Sequence, residues 1–424
     1  MESKEEILRD LRQRKGKIEV ISRVPMTTSE ELSRYYTPGV AYASSEITGR
    51  KELVYEYTRK SNLIAIISDG TRILGLGRIG PYAGLPVMEG KSILFKKFGG
   101  VDAVPLCVST TDEEEIVRLA AQIEPSFGAI NIEDIESPKS LRIAERLSKS
   151  LAIPVIHDDQ QGTAVVVLAA LMNSLKLAGK GVDSKVVING AGSAGIGIAR
   201  LLIFAGFRRL YVLDSHGSVY RGRKSNMNEF KNELASATNP ECETGSLEEI
   251  SRRADVLIGV SRRGVFSESL IQSMNTKPIV FALANPEPEI SYDAAIAAGA
   301  FIAATGRSDR PNQVNNLLAF PGIGRGLLES RARTLNNEML HSAAIAIARA
   351  SSRNLSPGHI LPDPMDTKEA MAVAVGVSAA VCDAASKTGA ARIDRDTAEV
   401  RRSVRASIKR YNYIEKRVIK RESE

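Results

Sequence analysis

Apolar positions along the chain fall into short continuous runs separated by longer stretches of helical period. Ser61–Ser68, Ala103–Val108, Phe127–Ile132 and Ile153–His157 are short runs closed by turn residues, which predicts buried strands. Between them, Asp112–Glu124 and Pro138–Ser150 space their apolar residues as helices do. Strands alternating with helices imply a parallel sheet with right-handed crossovers. The same alternation resumes with strands at Ser184–Asn189, Leu210–Leu213, Asp255–Gly259, Pro278–Leu283 and Phe301–Ala304. Helices are expected at 4–15 and 29–35, from Pro86 through Phe98, and over Ala164–Leu177. The last of these closes at Ala178-Gly179-Lys180-Gly181, a glycine stop and hinge. From Phe320 the pattern is helical to the end, broken at Ser356-Pro357-Gly358 and Pro362–Pro364.

With 424 residues the chain is long enough for two or three domains. Its 43% hydrophobic and 25% charged residues are those of a soluble globular protein. Aromatics at 5% and the lack of tryptophan leave little for large stacking platforms. Cys107, Cys242 and Cys382 are too scattered for a disulfide framework or a zinc pattern, which fits a reducing cytosol. The acidic start, Met1 to Glu6, has no apolar signal region, and no apolar run reads as long and uncharged enough to span a membrane. Lys and Arg exceed Asp and Glu by 57 to 50, a formal charge of +7. Much of it lies in Arg392–Lys420, alternating with Val404, Ile408, Tyr411, Ile414 and Ile419 at helical spacing. That reads as the solvated face of a packing helix rather than a nucleic-acid surface.

The strand Ile153–His157 ends in Asp158-Asp159, followed by Gln160-Gln161-Gly162-Thr163 and an apolar helix. The preceding strand ends in Ile132-Glu133-Asp134. Ligands of open α/β sheets sit beyond the carboxyl ends of the strands. Two acidic pairs delivered there by successive parallel strands point to a divalent cation held by oxygen ligands; a capping role for Asp158-Asp159 is the plain alternative. Elsewhere, Ser184–Asn189 runs into Gly190-Ala191-Gly192-Ser193-Ala194-Gly195, a strand entering G-x-G-x-x-G at a helix start, which cradles a pyrophosphate. Leu210–Leu213 then ends at Asp214, where an acid meets the adenosine ribose. Asp214 points to NAD, whereas His216, Arg221, Arg223 and Lys224 could neutralise the extra phosphate of NADP; the choice stays open. Gly75-Leu76-Gly77-Arg78-Ile79-Gly80-Pro81 is glycine-rich but lacks the strand–turn–helix setting of a phosphate loop. Arg72, after the Asp69-Gly70 turn, could clamp a carboxylate. Lys91 follows Pro86 at a helix start, where the dipole would ease loss of its proton. Tyr36, on the turn before Pro38-Gly39, could aim its hydroxyl into a cleft. Asn285-Pro286 places an amide beside nicotinamide or substrate, or simply makes a turn. The loop Thr305–Asn316 is dense in amides.

Taken together, Tyr35-Tyr36-Thr37-Pro38-Gly39-Val40-Ala41, Pro86–Lys91, Ile132–Ile135, His157–Thr163, Gly190–Gly195, Ala284-Asn285-Pro286, and Thr305–Asp309 with Asn315-Asn316 resemble the malic enzymes, in their short bacterial and archaeal form. The resemblance implies oxidative decarboxylation of (S)-malate to pyruvate and CO₂ with NAD or NADP and Mg²⁺ or Mn²⁺, and decarboxylation of oxaloacetate as an added activity. By motif position it implies Lys91 as general base, Asp158 in support, and Tyr36 as proton donor to C3. It implies Glu133, Asp134 and Asp159 as metal ligands, and Arg72, Lys91, Asn285 and Asn316 as malate contacts. Gly190, Gly192, Ser193, Ala194, Gly195, Asp214 and Asn285 would face the cofactor. Arg78, Gln161 and Arg310 depart from the family pattern. The expected architecture is an N-terminal α/β catalytic domain with a parallel sheet (1–160), a Rossmann-type doubly wound dinucleotide-binding domain (161–390), and a helical extension (391–424) packing on the first. A cytoplasmic homodimer follows from the resemblance, with no nucleic acid or membrane as partner.

Overall fold

The structure, a computed structural model, describes residues 3–73 and 76–422, with side chains described to residue 417. Gly75 and the side chains of Ile419 and Lys420 lie outside the described residues.

Among the described residues, ten strands make two sheets. The first is wholly parallel, in the order β2-β1-β3-β4, from Leu63–Ser68 (β1), Asp102–Cys107 (β2), Ala129–Ile132 (β3) and Val155–His157 (β4). Alternate residues supply its two faces, as the two-residue period of a strand requires. Ile64 and Ile66 of β1 face Met88, Phe95 and Phe320, while Ala65 and Ile67 face Ile116, Ile143 and Leu147. The chain leaves β1 toward β2 and then crosses back to β3. This reversal opens a crevice between the carboxyl ends of β1 and β3.

The second sheet has the order β10-β9-β8-β5-β6-β7, from Val186–Asn189 (β5), Leu210–Asp214 (β6), Gly217–Ser218 (β7), Val256–Gly259 (β8), Ile279–Ala282 (β9) and Ile302–Thr305 (β10). It is parallel except for β7, a two-residue antiparallel return on β6 that the apolar pattern did not reveal. Its reversal point lies between β5 and β8. Val186 and Ile188 face the main core with Val165 and Ile198, whereas Val187 faces Ile250 and Leu270.

Helix boundaries differ from expectation in two places that matter. The apolar helix spans Asp158–Ala178, so both carboxylates lie in its first turn rather than in a loop before it. Their charge there complements the helix dipole, which explains why the helix reaches back to them. The helix carrying Lys91 spans Gly80–Gly99, with Pro81 in its first turn and Pro86 inside it. The missing Pro86 N–H falls in the second turn, beside the exposed Tyr82, so water can serve the carbonyl left over. Lys91 is therefore mid-helix, where the dipole does not ease loss of its proton as a helix start would.

Two helices, Asp158–Ala178 and Thr367–Lys387, do have the length and hydropathy to cross a membrane, contrary to the reading of the bare sequence. Most of each is buried against neighbouring helices and sheets, as for apolar core helices. The helical C-terminal part consists of Phe320–Glu329, Asn337–Ala350, Thr367–Lys387 and Thr397–Glu422, with further breaks at 330–336 and 388–396. Phe320–Glu329 and Thr397–Glu422 both pack on Gly80–Gly99, so the chain end returns to the first sheet's outer layer. Lys97 pairs with Glu415 at 3.1 Å across that contact. The N-terminal helices Lys4–Arg14, Ser29–Tyr35 and Val40–Gly49 bury no residue at all.

Candidate active site

β3 and β4 are neighbours in register, Ile132 opposite His157, so Glu133-Asp134 and Asp158-Asp159 leave the same sheet edge side by side. Glu133, Asp134 and Asp159 each place a carboxylate oxygen within 4.8 Å of the others. Asn131, two residues before Glu133 and on the same strand face, donates to Glu133 Oε2 at 2.7 Å and fixes that carboxylate. Asp134 adopts a left-handed backbone (φ 51°), rare for a residue with a side chain. It is held there because its N–H donates to Asp159 Oδ2 at 3.1 Å and its carbonyl accepts from Arg72 N–H at 3.1 Å.

Asp158 and Asp159 are successive helical residues, about 100° apart around the axis, and so serve different partners. Asp159 turns to Asp134. Asp158, fully buried, accepts from Lys91 Nζ and Asn316 Nδ2 through the same oxygen, Oδ2. Lys91 reaches Glu133 Oε1 as well, at 2.8 Å, and its Nζ lies 4.0 Å from the centre of the Phe320 ring. Gly162, one turn after Asp158, is required here: a Cβ on it would stand 1.8 Å from Asp158 Oδ1.

Electrostatics follow from burying four acids beside one lysine. Burial pushes Glu133 well above the usual carboxylate range; Lys91 pulls it back and the neighbouring acids push it further up. Burial, with Asp159 adding to it, raises Asp134 to about 7. Burial likewise lifts Asp158 to about 6 against the pull of Lys91. For Lys91, burial favours loss of the proton, but Asp158 and Glu133 outweigh it and the net direction is up. Lys91 thus holds its proton between two carboxylates, opposite to what a helix start implied. Carboxylates that cannot all ionise in one pocket are relieved by a cation. Oxygens of three acids at this spacing suit a hard divalent ion, so Glu133, Asp134 and Asp159 fit Mg²⁺ or Mn²⁺.

The glycine turn lies at the reversal point of the second sheet. Gly190 (φ 131°) has Val260 O only 2.6 Å from where a Cβ would be, and a Cβ on Gly195 would meet Gly190 O at 1.7 Å. Around Gly192 nothing lies within 4 Å, the open approach that a pyrophosphate needs. The helix starts at Ser193 and presents backbone N–H groups there, together with Ala194. The Ser193 hydroxyl is turned away, buried against Ser140 Oγ at 3.3 Å, so only its backbone faces that opening. Gly197 joins the two half-sites: a Cβ on it would stand 2.5 Å from Gln160 O, so only glycine lets the two helices come this close.

Asp214 accepts from Arg223 at 2.7 and 2.9 Å, Lys231 at 2.7 Å, Asn226 at 3.0 Å and His216 N–H at 2.8 Å. Two cations on one acid leave this corner net positive. Arg72 is at the rim with an exposed side chain, close enough to pull Asp134 toward ionisation. Asn285 is exposed on its turn and packs beside Gly306. Tyr36 is 64% exposed, with no side-chain hydrogen bond among the described residues, and does not join the cluster. Of the departures from the family pattern, Arg78 pairs with Glu136 at 2.8 Å and Arg310 with Asp293 at 3.0 Å, both outside the cluster. Gln161 accepts the His157 N–H at 2.8 Å and so closes the first turn of the acidic helix. Sequence reasoning missed Asn131 and Phe320; only Asn131 had a signal, its two-residue spacing from Glu133.

A buried lysine–acid cluster at the edge of one sheet and a glycine turn at the edge of the other, on helices that meet where Gly197 approaches Gln160, define a dinucleotide-linked α/β oxidoreductase. Residues 15–117 match the family described as Malic enzyme, N-terminal domain, and residues 160–386 that described as Malic enzyme, NAD binding domain. The chain is 49% identical to the bifunctional malic/malolactic enzyme of Bacillus subtilis (strain 168) over 96% of its own length and 98% of that protein. It is 48% identical to the NAD-dependent malic enzyme of Geobacillus stearothermophilus, covering 89% of this chain and 78% of the other. The crystal structure of malic enzyme from Pyrococcus horikoshii Ot3 superposes with a TM-score of 0.92 at 44% identity, covering 96% and 95% of the two chains. The chain belongs to the malic enzyme family.

Proposed function

We propose that this chain oxidatively decarboxylates (S)-malate to pyruvate and CO₂ with NAD⁺ or NADP⁺, and that it also decarboxylates oxaloacetate. The observation that carries the reading is Lys91, 8% exposed, between Glu133 and Asp158 beside three acids spaced for a divalent ion. Glu133, Asp134 and Asp159 would hold Mg²⁺ or Mn²⁺, which would supply Lewis acidity for the oxidation and the decarboxylation. Gly190, Gly192, Ser193, Ala194 and Gly195, with Asp214 for the ribose, would hold NAD(P)⁺, which would supply the acceptor for a hydride from C2.

Arg72 clamps a malate carboxylate in bidentate fashion, and Asn285 and Asn316 orient the rest of the molecule. Lys91 passes the proton it shares with Asp158 to that carboxylate and takes the C2 hydroxyl proton in its place as the hydride leaves. Loss of CO₂ from the resulting β-keto acid leaves an enol that needs a proton at C3, and Tyr36 supplies it.

Tyr36 belongs to a segment whose three helices bury nothing while Val20, Met26, Leu32 and Tyr42 stand exposed. A homodimer in which a second copy covers this segment encloses Tyr36 and completes the site. The protein works in the cytoplasm, its partners the small-molecule substrate and a second copy. The functional division is the one read from the chain: 1–160 for substrate and metal, 161–390 for the dinucleotide, 391–424 as a brace.

The test is steady-state reduction of each cofactor with malate, with and without EDTA. Lys91→Ala is expected to lose both malate oxidation and oxaloacetate reduction while binding cofactor normally. Tyr36→Phe is expected to lose overall turnover but keep most oxaloacetate reduction. Malate turnover unaffected by EDTA, or two variants equally impaired in every partial reaction, overturns this assignment.

A further inference from the structure

Glu289 is fully buried (0% exposed), and among the described residues no lysine or arginine pairs with it. Burial raises its carboxyl, opposed by the backbone N–H groups of Ser261 and Ala284. Oε1 accepts from Ser261 N–H at 2.8 Å and from Ser261 Oγ at 3.3 Å, and Oε2 accepts from Ala284 N–H at 2.9 Å. Ser261 Oγ also accepts from Asn189 Nδ2 at 2.9 Å. One carboxylate therefore gathers the turns that leave the carboxyl ends of β5, β8 and β9. Room for it comes from Gly259, where a Cβ would stand 2.4 Å from Glu289 Cδ.

Both oxygens accept from N–H donors, which favours the ionised form against the burial that opposes it, and an amide NH₂ on either side would oppose a donor. An unpaired buried charge is costly, and an apolar residue of the same size would avoid that penalty. Its place is informative, because Ala284 directly precedes Asn285, the residue assigned above to malate and the nicotinamide end of the cofactor.

We propose that Glu289 is a positioning residue for the reaction: it sets the Ala284-Asn285 turn against the Val260-Ser261 turn, so that the Asn285 amide meets the substrate at the right height. The inference rests on the malate reading above and adds a residue that does not itself touch the reactants. A staple that merely held the fold would lower melting temperature and active fraction together and leave KM alone. A positioning group shifts KM for malate.

The experiment uses the full chain and four forms: wild type, Glu289→Gln, Asn285→Ala and the double variant. In each, kcat, KM for malate, cofactor affinity by NAD(P)H fluorescence and melting temperature are measured. Glu289→Gln is expected to raise KM for malate about tenfold or more, the loss expected when a charged acceptor of buried donors is replaced. Cofactor affinity should change less than about threefold. In the Asn285→Ala background the same change should add little, because the two act as one unit. Unchanged KM in Glu289→Gln, or a full additive loss in the double variant, overturns the proposal. Should Glu289→Gln not fold, Ser261→Ala removes the hydroxyl with its contacts to Glu289 and Asn189 and leaves the backbone N–H bonds to Glu289; it should shift KM in the same direction, and a wild-type KM overturns the idea. A wild type that fails to turn over malate overturns the function itself, a result separate from any behaviour of Glu289.

Discussion

Gly162→Ala separates catalysis from stability in this site. Gly162 is helical, four residues after Asp158 and on the same face, so its substitution carries no backbone penalty. In an ordinary helix the change would gain about 1 kcal/mol from propensity. Here the new methyl would stand 1.8 Å from Asp158 Oδ1, 2.9 Å from its Cγ and 3.4 Å from Asn316 Cβ. Asp158 has one short side chain and must rotate away by about an ångström or more, weakening its bonds to Lys91 and Asn316. Losing a charged buried hydrogen bond costs about 1.5–3 kcal/mol, partly offset by the helix gain, so melting temperature should fall by only a few degrees. Catalysis has no such offset: a displacement of about 1 Å in a reacting group costs about 10²-fold in rate. The assay compares kcat/KM for malate with the thermal midpoint and with cofactor affinity. A variant within about threefold of wild-type kcat/KM would show that the Lys91–Asp158 contact is dispensable.

Other consequences are equally direct. Asp159→Ala should raise the Mn²⁺ concentration for half-maximal rate by about 100-fold or more; an unchanged metal titration refutes its role as ligand. Arg223→Ala leaves Asp214 only Lys231 as cation, so the ratio of kcat/KM for NADP to that for NAD should fall about tenfold. A constant ratio would place the adenosine ribose elsewhere. Lys60 is buried and donates to the Glu124 and Phe127 carbonyls at 2.6 Å each, and burial lowers it to about 8 from the usual 10.5. Between these values the unfolded chain binds more protons, so stability rises with pH across that window and not below it. In Lys60→Met that rise should vanish; equal urea-unfolding slopes against pH in both proteins would contradict it.

What the chain alone determined was whatever depends on local period and local chemistry. β1 to β6, β8, β9 and β10 were legible because runs such as Ile64–Ile67 and Val186–Ile188 are apolar on both faces, which only a sheet covered on two sides uses. The glycine turn was legible because Gly190 and Gly195 answer to backbone within a few residues or on the next strand. The acids of Glu133-Asp134 and Asp158-Asp159 could be placed at one edge, since strands that alternate with helices run parallel. What the tertiary structure decided was how those groups divide. The helix begins at Asp158, so its periodicity sends Asp158 to Lys91 and Asp159 to Asp134, the division that motif position implied but that the acidic pair taken by itself does not contain. The helix around Lys91 begins at Gly80, not Pro86, and two acids far from Lys91 in sequence, Glu133 and Asp158, fix the protonation that the sequence assigned to a helix dipole. Glu289, Asn131 and Phe320 acquire meaning only from what long-range packing lays against them, because a buried charge is defined by its neighbours in space and not by those along the chain.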